Sequence, residues 1–373
     1  MRTRKAFIEV SAALSAMALV MCCAAPVLAG TQYGITDLGP VFASGLNNAG
    51  QVVGGSDAWY SPGSTLSETT LAGGSSYAAA INGDGLIVGS VNSTYAAIWT
   101  SASALTPTLI TPGQPAGASS YANAVNTVSG VDTVVGNYIT PAANSYAFSY
   151  TQAGGPARLN NATTIGEGWV LQTADGINAS GLITGIGSYR GTANEIFLLN
   201  PVTNVVTDIG NAGLAGVSSG INNSGEVVGA IDTQNINAYT DNTSAFSWTS
   251  GGGLQTLGVL DGYSQANAVN SEGVIVGFAG STYSDGMPQA VIFSASGQPI
   301  PLSSLIPADS GWTELNWAVG INDNGQIAGS GLYNGVQQAF LLDPVPEPVS
   351  MIFFGTGLIG VVGYVARRRM QTR

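Results

Sequence analysis

No histidine occurs in the chain, its only lysine is Lys5, and its only cysteines are Cys22 and Cys23. This excludes Ser–His–Asp and Cys–His catalysis and any zinc site that needs histidine. If the first 29 residues are removed, thiol and Schiff-base nucleophiles go with them. Gly251-Gly252-Gly253 has no lysine and opens no helix, so it is not a phosphate loop. Carboxylate pairs of the kind glycosidases use remain, with Asp175, Asp261 and Glu314 as candidates. Their spacing singles out no pair, and solvated turn carboxylates are the simpler account. Calcium is the better ionic candidate, because Gly83-Asp84-Gly85 and Asp323-Asn324-Gly325 set oxygens in tight turns. Both lack the alternating ligands and distal Glu of a calcium-binding hand, and ordinary turn formation explains them as well. The sequence therefore predicts no catalytic residue, no metal site and no cofactor.

The aromatic residues fall into sets. Trp59, Trp99 and Trp248 occur in apolar runs that read as core. Trp169, Trp312 and Trp317 share a different setting, upstream of a turn. They read as a common structural strand or, more sharply, as a platform on which a sugar could stack. Tyr77, Tyr121 and Tyr263 also precede turns, where they would line one face or seal contacts between units.

These residues are positioned by a repeat. Gly220-Ile221-Asn222-Asn223-Ser224-Gly225-Glu226-Val227-Val228-Gly229 has six further copies, and the Asn residues stand at 47, 82, 126, 178, 222, 270 and 322. Such spacing suits propeller blades or helical arrays. Each copy reads as a hairpin, in which Asn bonds to the backbone two residues on and the following Gly takes a left-handed conformation. Together they predict a type I turn with a glycine bulge. The second strand ends on another Gly, a mark of close backbone approach. The third copy departs, with Thr127-Val128-Ser129-Gly130-Val131-Asp132 lengthening the turn. A third strand follows, as in Ala245-Phe246-Ser247-Trp248, and a fourth, as in Val205–Gly210 or Leu254–Gly258. Four short strands per unit is the plan of a propeller blade. The last unit lacks a fourth strand and the chain begins with a surplus one, Tyr33–Gly39, so the two ends are expected to pair and close the ring. The reading is an all-β, seven-bladed propeller, or a propeller-like ring, over residues 30–343.

The Ile-Asn-x-x-Gly-x-Val-Val-Gly string with a later Ala-Phe-x-Trp resembles the bacterial extracellular HAF repeats. That resemblance, over about residues 33–343, implies a propeller-like fold and no particular chemistry.

The two ends carry addresses. Residues 1–29 read as a signal peptide, with Arg2, Arg4 and Lys5, an apolar centre at 12–21, and Val27-Leu28-Ala29 before a cut at Gly30. Residues 344–348 form a stiff Pro-rich linker, 349–366 an uncharged apolar stretch long enough to span a membrane, and 367–373 a basic cytoplasmic tail. Val345, Pro346, Glu347, Pro348, Gly357, Leu358, Gly360, Arg367, Arg368 and Arg369 together resemble the PEP-CTERM sorting signal of Gram-negative bacteria. The resemblance implies removal of the tail by an exosortase and delivery to the cell envelope, surface or extracellular matrix.

The net charge of −12 hides how basic residues concentrate at the ends; between them only Arg158 and Arg190 remain. An acidic domain of this kind disfavours nucleic acid. The expectation is an exported, non-enzymatic surface or matrix protein, structural or adhesive and associated with exopolysaccharide. Its partners are signal peptidase and exosortase during export, and the membrane before processing. A dedicated carbohydrate-binding module is the alternative, and a glycan-cleaving enzyme the weaker one.

Overall fold

The computed structural model describes residues 31–55, 59–62, 69–71, 75–100, 106–111, 115–213, 216–232, 243–260, 262–280, 287–294 and 298–345. The chain divides into two units, one of which, Tyr33–Pro344, holds the repeats. The other, Met1–Gln32 with Val345–Arg373, lies almost wholly outside the described residues. The predicted signal peptide, the apolar stretch 349–366, the basic tail and the sorting residues beyond Val345 therefore lie outside them too. Among the described residues no helix is long and apolar enough to cross a membrane.

The repeats fold into an all-β propeller. Among the described residues its strands form seven sheets, one for each copy of the Asn motif, and every neighbouring pair with a described register is antiparallel. In the sheet of residues 217–256 the order is Val217–Ile221, Val227–Asp232, Thr243–Thr249, Gly253–Thr256. The last sheet takes its fourth strand from the other end of the chain: Gln32–Gly39 lies beside Val336–Val345. Leu38 packs with Ala339 and Leu341 in one buried cluster. The ring thus closes by pairing the termini, as the surplus strand predicts, and the last sheet reaches the same four strands as its neighbours.

The final strand runs to Val345, two residues into the segment expected to be linker. Its ladder to Ile327–Tyr333 ends at Leu342, so the missing N–H of Pro344 costs no bond on that side. The sheet of residues 169–211 is also irregular. Its first strand is split into Trp169–Leu171 and Gly176–Ile177, both paired with Ile183–Tyr189. A short helix, α1 (Ala162–Gly166), precedes it and is capped by Asn161, whose side chain accepts from Thr163 and Thr164 N–H.

The turns follow the sequence closely. In the repeat at 222 the Gly225 N–H donates to the Asn222 carbonyl and the Asn222 N–H to the Glu226 carbonyl, a type I turn with a bulge. Gly225 and Gly273 have φ of 84° and 79°, the left-handed region that favours glycine. In the third copy the strands extend to Val128 and Val131, and Ser129 (φ 49°) and Gly130 (φ 79°) make a two-residue turn instead. Two successive positive φ values match the right-handed twist of a hairpin. Trp59, Trp99 and Trp248 are buried in the core, as their apolar settings predict.

Candidate functional site: the axial cavity and its asparagine belt

The motif asparagines do more than start turns. In six repeats, Oδ1 accepts from the backbone N–H groups two and four residues on, as Asn222 does from Ser224 (3.1 Å) and Glu226 (3.0 Å). The amide nitrogen then crosses to the next sheet. Asn47 Nδ2 donates to the Asn82 carbonyl (2.9 Å), Asn178 to Asn222 (3.0 Å) and Asn222 to Asn270 (3.0 Å). Asn270 donates to Asn322 (3.2 Å), and Asn322 donates to Asn47 across the closure (3.0 Å). The belt shifts at the irregular third copy. Asn126 donates to the Ile177 carbonyl (3.2 Å), and Asn82 reaches Asp132 Oδ1 (2.7 Å) and Thr127 Oγ1 (3.2 Å). One residue type thus fixes the local turn and the neighbour-to-neighbour contact. These asparagines, Asn126 apart, are buried, and a buried amide must find partners for both its ends.

Above the belt lies a cavity of 290 Å³, lined by one segment from each of the seven sheets. The residue just before each belt Asn is aliphatic where it lines the cavity: Leu46, Ile81, Ile177, Ile221, Val269 and Ile321. Next comes a waist of small residues, Gly or Ala, such as Gly176 and Gly220. Three residues upstream of each Asn comes a mixed ring: Ser44, Ala79, Asn123, Asp175, Ser219, Asn267 and Val319. Five of these seven sit at β-bulges, the register shifting across Ala79, Asn123, Ser219, Asn267 and Val319. A bulge re-aims a side chain, and here it turns these residues toward the axis. Ser44 and Asp175 are displaced alike: their N–H groups donate to Val53 and Thr184, which pair with the residues that follow, Gly45 and Gly176.

The strand-ending glycines make the bulges possible. A Cβ on Gly89 would overlap the Tyr77 carbonyl oxygen, and one on Gly229 the Val217 carbonyl. The other five copies, Gly54, Gly136, Gly185, Gly277 and Gly329, meet a backbone carbonyl in the same way. This is the close backbone approach that a glycine inside a strand signals.

Among the described residues Asp175 is the only titratable one lining the cavity. Burial pushes its carboxyl up to about 7, against a smaller opposing effect of the Thr173 hydroxyl, which donates to Oδ2 at 3.0 Å. Beside it in the ring, Asn123 uses its amide nitrogen on Asn137 Oδ1 (3.2 Å) and the Ala174 carbonyl (3.1 Å).

The remaining candidates are dispersed. Glu314 is not near Asp175; it lines a separate 340 Å³ groove with Gln289, Ser303, Thr313 and Asn316. Buried Asn316 donates to Glu314 Oε2 (3.0 Å) and to the Pro288 carbonyl (3.2 Å), and its Oδ1 is buried without a partner. Asp261 lies outside the described residues. Trp169 and Trp312 occupy equivalent places. Trp169 is paired with and stacked on Tyr189 (4.8 Å) and meets Phe197 edge-on (6.3 Å). Trp312 is paired with and packed on Tyr333 (5.5 Å) and meets Phe340 edge-on (5.5 Å). Trp169 is buried, while Trp312 and Trp317 are half-buried, an arrangement that favours the shared structural strand over a stacking platform. Of the three tyrosines, Tyr77 is exposed, Tyr121 half-buried and Tyr263 buried, so they do not form one common face.

The two turn carboxylates are engaged by protein donors. Asp323 accepts from Ser271 N–H (2.9 Å) and from Asn48 Nδ2 (2.9 Å), and Asp84 Oδ2 from the Thr127 hydroxyl (2.8 Å). Among the described residues no group of three or more Asp, Glu, His or Cys side chains could hold a metal ion. The mixed ring escaped the sequence reading, yet its signal is visible once the belt is known: a fixed offset of three residues before each Asn.

Among solved structures the propeller is similar to an oligogalacturonate lyase in complex with manganese, at 10% identity and a TM-score of 0.50, covering 85% of this chain and 96% of that one. It is also similar to TolB from Acinetobacter baumannii, at 13% identity and a TM-score of 0.40, over 67% of this chain and 59% of that one. Identities this low speak to fold alone. A search of curated protein sequences finds no match. Residues 344–369 match the model of the PEP-CTERM protein-sorting motif, which implies an exported protein, processed by an exosortase and sent to the cell envelope or surface.

Proposed function

We propose that this chain is a non-enzymatic surface or matrix protein of a Gram-negative bacterium, a seven-bladed ring of HAF-type repeats that associates structurally or adhesively with exopolysaccharide. The sorting motif at 344–369 carries this reading, because it begins in the last two residues of the strand Val336–Val345, where the repeats end. Export begins with removal of residues 1–29 by signal peptidase. The apolar stretch 349–366 then holds the chain in the membrane, with Arg367–Arg369 resisting translocation, until an exosortase cuts near Pro348. The lack of His, and of Lys and Cys after processing, supports a non-catalytic role.

Intact mass of the protein from its native host, with cell fractionation, is the test. The expected species starts near Gly30, ends near Pro348 and lies outside the inner membrane. A species running to Arg373 in inner-membrane fractions would make it a simple anchored protein.

One observation favours a carbohydrate-binding module as the second reading. The groove at Glu314 offers several hydrogen-bonding side chains, as a polyhydroxylated ligand requires, and the unsatisfied Asn316 Oδ1 lies in its wall. Binding on a glycan array that is lost in Glu314→Ala would support it. Sugar release from the host's own polysaccharide would instead establish a glycan-cleaving enzyme.

A further inference from the structure

We propose that the axial cavity is a binding site for a primary ammonium group carried on a short aliphatic chain, with Asp175, Asn123 and Ser219 as its acceptors. This site is independent of any glycan contact and of how the tail is processed.

Three observations meet at one place. First, Asn123, Asp175 and Ser219 come from consecutive sheets and occupy neighbouring positions in the mixed ring at the cavity. Their displacement out of the ladder directs them to the axis. Second, each has acceptor capacity left over. Among the described residues Asn123 spends only its amide nitrogen, Asp175 is bonded only through Oδ2, and the Ser219 hydroxyl has no hydrogen-bond partner. None of these atoms is sealed from solvent as a buried unsatisfied group. They face open space and not a packing defect. Third, among the described residues that line it, the cavity has one carboxylate and no basic or second acidic residue. Half-buried and without a cationic partner among the described lining residues, Asp175 is a group that an entering cation would relieve.

An ammonium head has three N–H donors and no acceptor, which suits three oxygen acceptors. One of these bonds would be charge-assisted, and a charge-assisted hydrogen bond is roughly twice as strong as a neutral one. Below the head, the small residues of the waist leave room for a chain, and the aliphatic layer with Ile177 and Ile221 gives it an apolar floor. A metal ion would instead need more carboxylates, and an anion would meet Asp175 unfavourably. The ammonium could come from a free alkylamine or from the lysine side chain of another protein; the recognition chemistry is the same.

Calorimetric titration at pH 8 is the test, with n-pentylamine and N-acetyl-lysine methylamide as probes and n-pentanol as the neutral control. Pentylamine is expected to bind, and pentanol about tenfold more weakly or not at all. Asp175→Asn should weaken the amine about tenfold or more while leaving the circular dichroism unchanged. Lowering the pH to 5.5 should weaken it in the wild type alone, because Asp175 is the only titratable group among the described residues lining the cavity. Binding of both amines would show that the site takes the head group from either source; binding of pentylamine alone would restrict it to free amines. Equal binding of pentanol, undiminished amine binding in Asp175→Asn, or no heat with either amine at millimolar concentration would overturn the proposal. Glycan binding and tail cleavage are read separately, so failure here leaves the surface reading standing.

Discussion

Replacing Asn222 by Ala tests whether the asparagine belt holds the ring together. Its side chain makes five hydrogen bonds. Oδ1 accepts from the N–H groups of Ser224 and Glu226 and from the Ser224 hydroxyl, while Nδ2 donates to the Asn270 carbonyl and to Glu226 Oε2. Ser224 and Glu226 lie near the surface, so water can replace those partners, and each of the four bonds lost there costs about 0.5 kcal/mol. The bond to the Asn270 carbonyl is buried, and a carbonyl stranded there costs about 1–3 kcal/mol. The sum is about 3–5 kcal/mol, lowering Tm by roughly 5–10 °C in a domain of this size. Thermal unfolding followed by tryptophan fluorescence reads it, since Trp248 is buried in the same sheet. Asn222→Asp separates the two roles. An aspartate keeps the acceptor for the turn but loses the donor, and at neutral pH its oxygen opposes the Asn270 carbonyl and Glu226. It should therefore be destabilised at pH 7 and recover as the pH falls, when a protonated carboxyl can again donate. A loss below about 1 kcal/mol in Asn222→Ala would refute the belt as a source of cohesion.

Gly89→Ala should destabilise by about 3 kcal/mol by chemical denaturation, because its Cβ would overlap the Tyr77 carbonyl; Gly83→Ala, which meets nothing, should stay within about 0.5 kcal/mol. Deleting residues 31–39 removes the strand beside Val336–Val345, exposing an edge and the apolar surface that Leu38 covers; an unchanged Tm would count against closure by the termini. Burial pushes the Asp175 carboxyl up to about 7, so the folded state holds its proton more tightly than the unfolded state. Stability should therefore fall as pH rises from about 4 to about 7, and Asp175→Asn should be more stable than wild type at pH 8. Asp323 goes the other way. Partial burial raises its pKa, but the bonds from Ser271 and Asn48 outweigh this and hold it below the ordinary range. Its contribution is present above the ordinary carboxylate range and lost as the pH falls through the folded pKa, so Asp323→Asn should flatten the acid limb of the stability curve.

Local chemistry made much of the fold legible in the sequence. Asn followed three residues later by Gly permits one tight turn and few alternatives, and the glycines at 225 and 273 adopt the positive φ that this spacing requires. The surplus strand at one end and the missing one at the other could be matched by counting, and the sorting motif at 344–369 is a linear pattern that needs no structure to be read. The common setting of Trp169 and Trp312 leaves a structural strand and a stacking platform both open in the sequence, because only the pairing with Tyr189 and Tyr333 shows that each is held in a structural stack.

Tertiary structure alone decided what meets what. Asn47 and Asn322 are 275 residues apart, and only closure of the ring sets the amide of one against the carbonyl of the other. Asp175, as a residue in a sequence, is one carboxylate among many. It becomes singular because an irregular strand turns it into a cavity where every other described lining residue is uncharged. A bulge depends on how two strands register against a glycine, and a pKa depends on how much water is excluded around a carboxyl group. Both are properties of the assembled ring, and neither is written in the spacing of the residues.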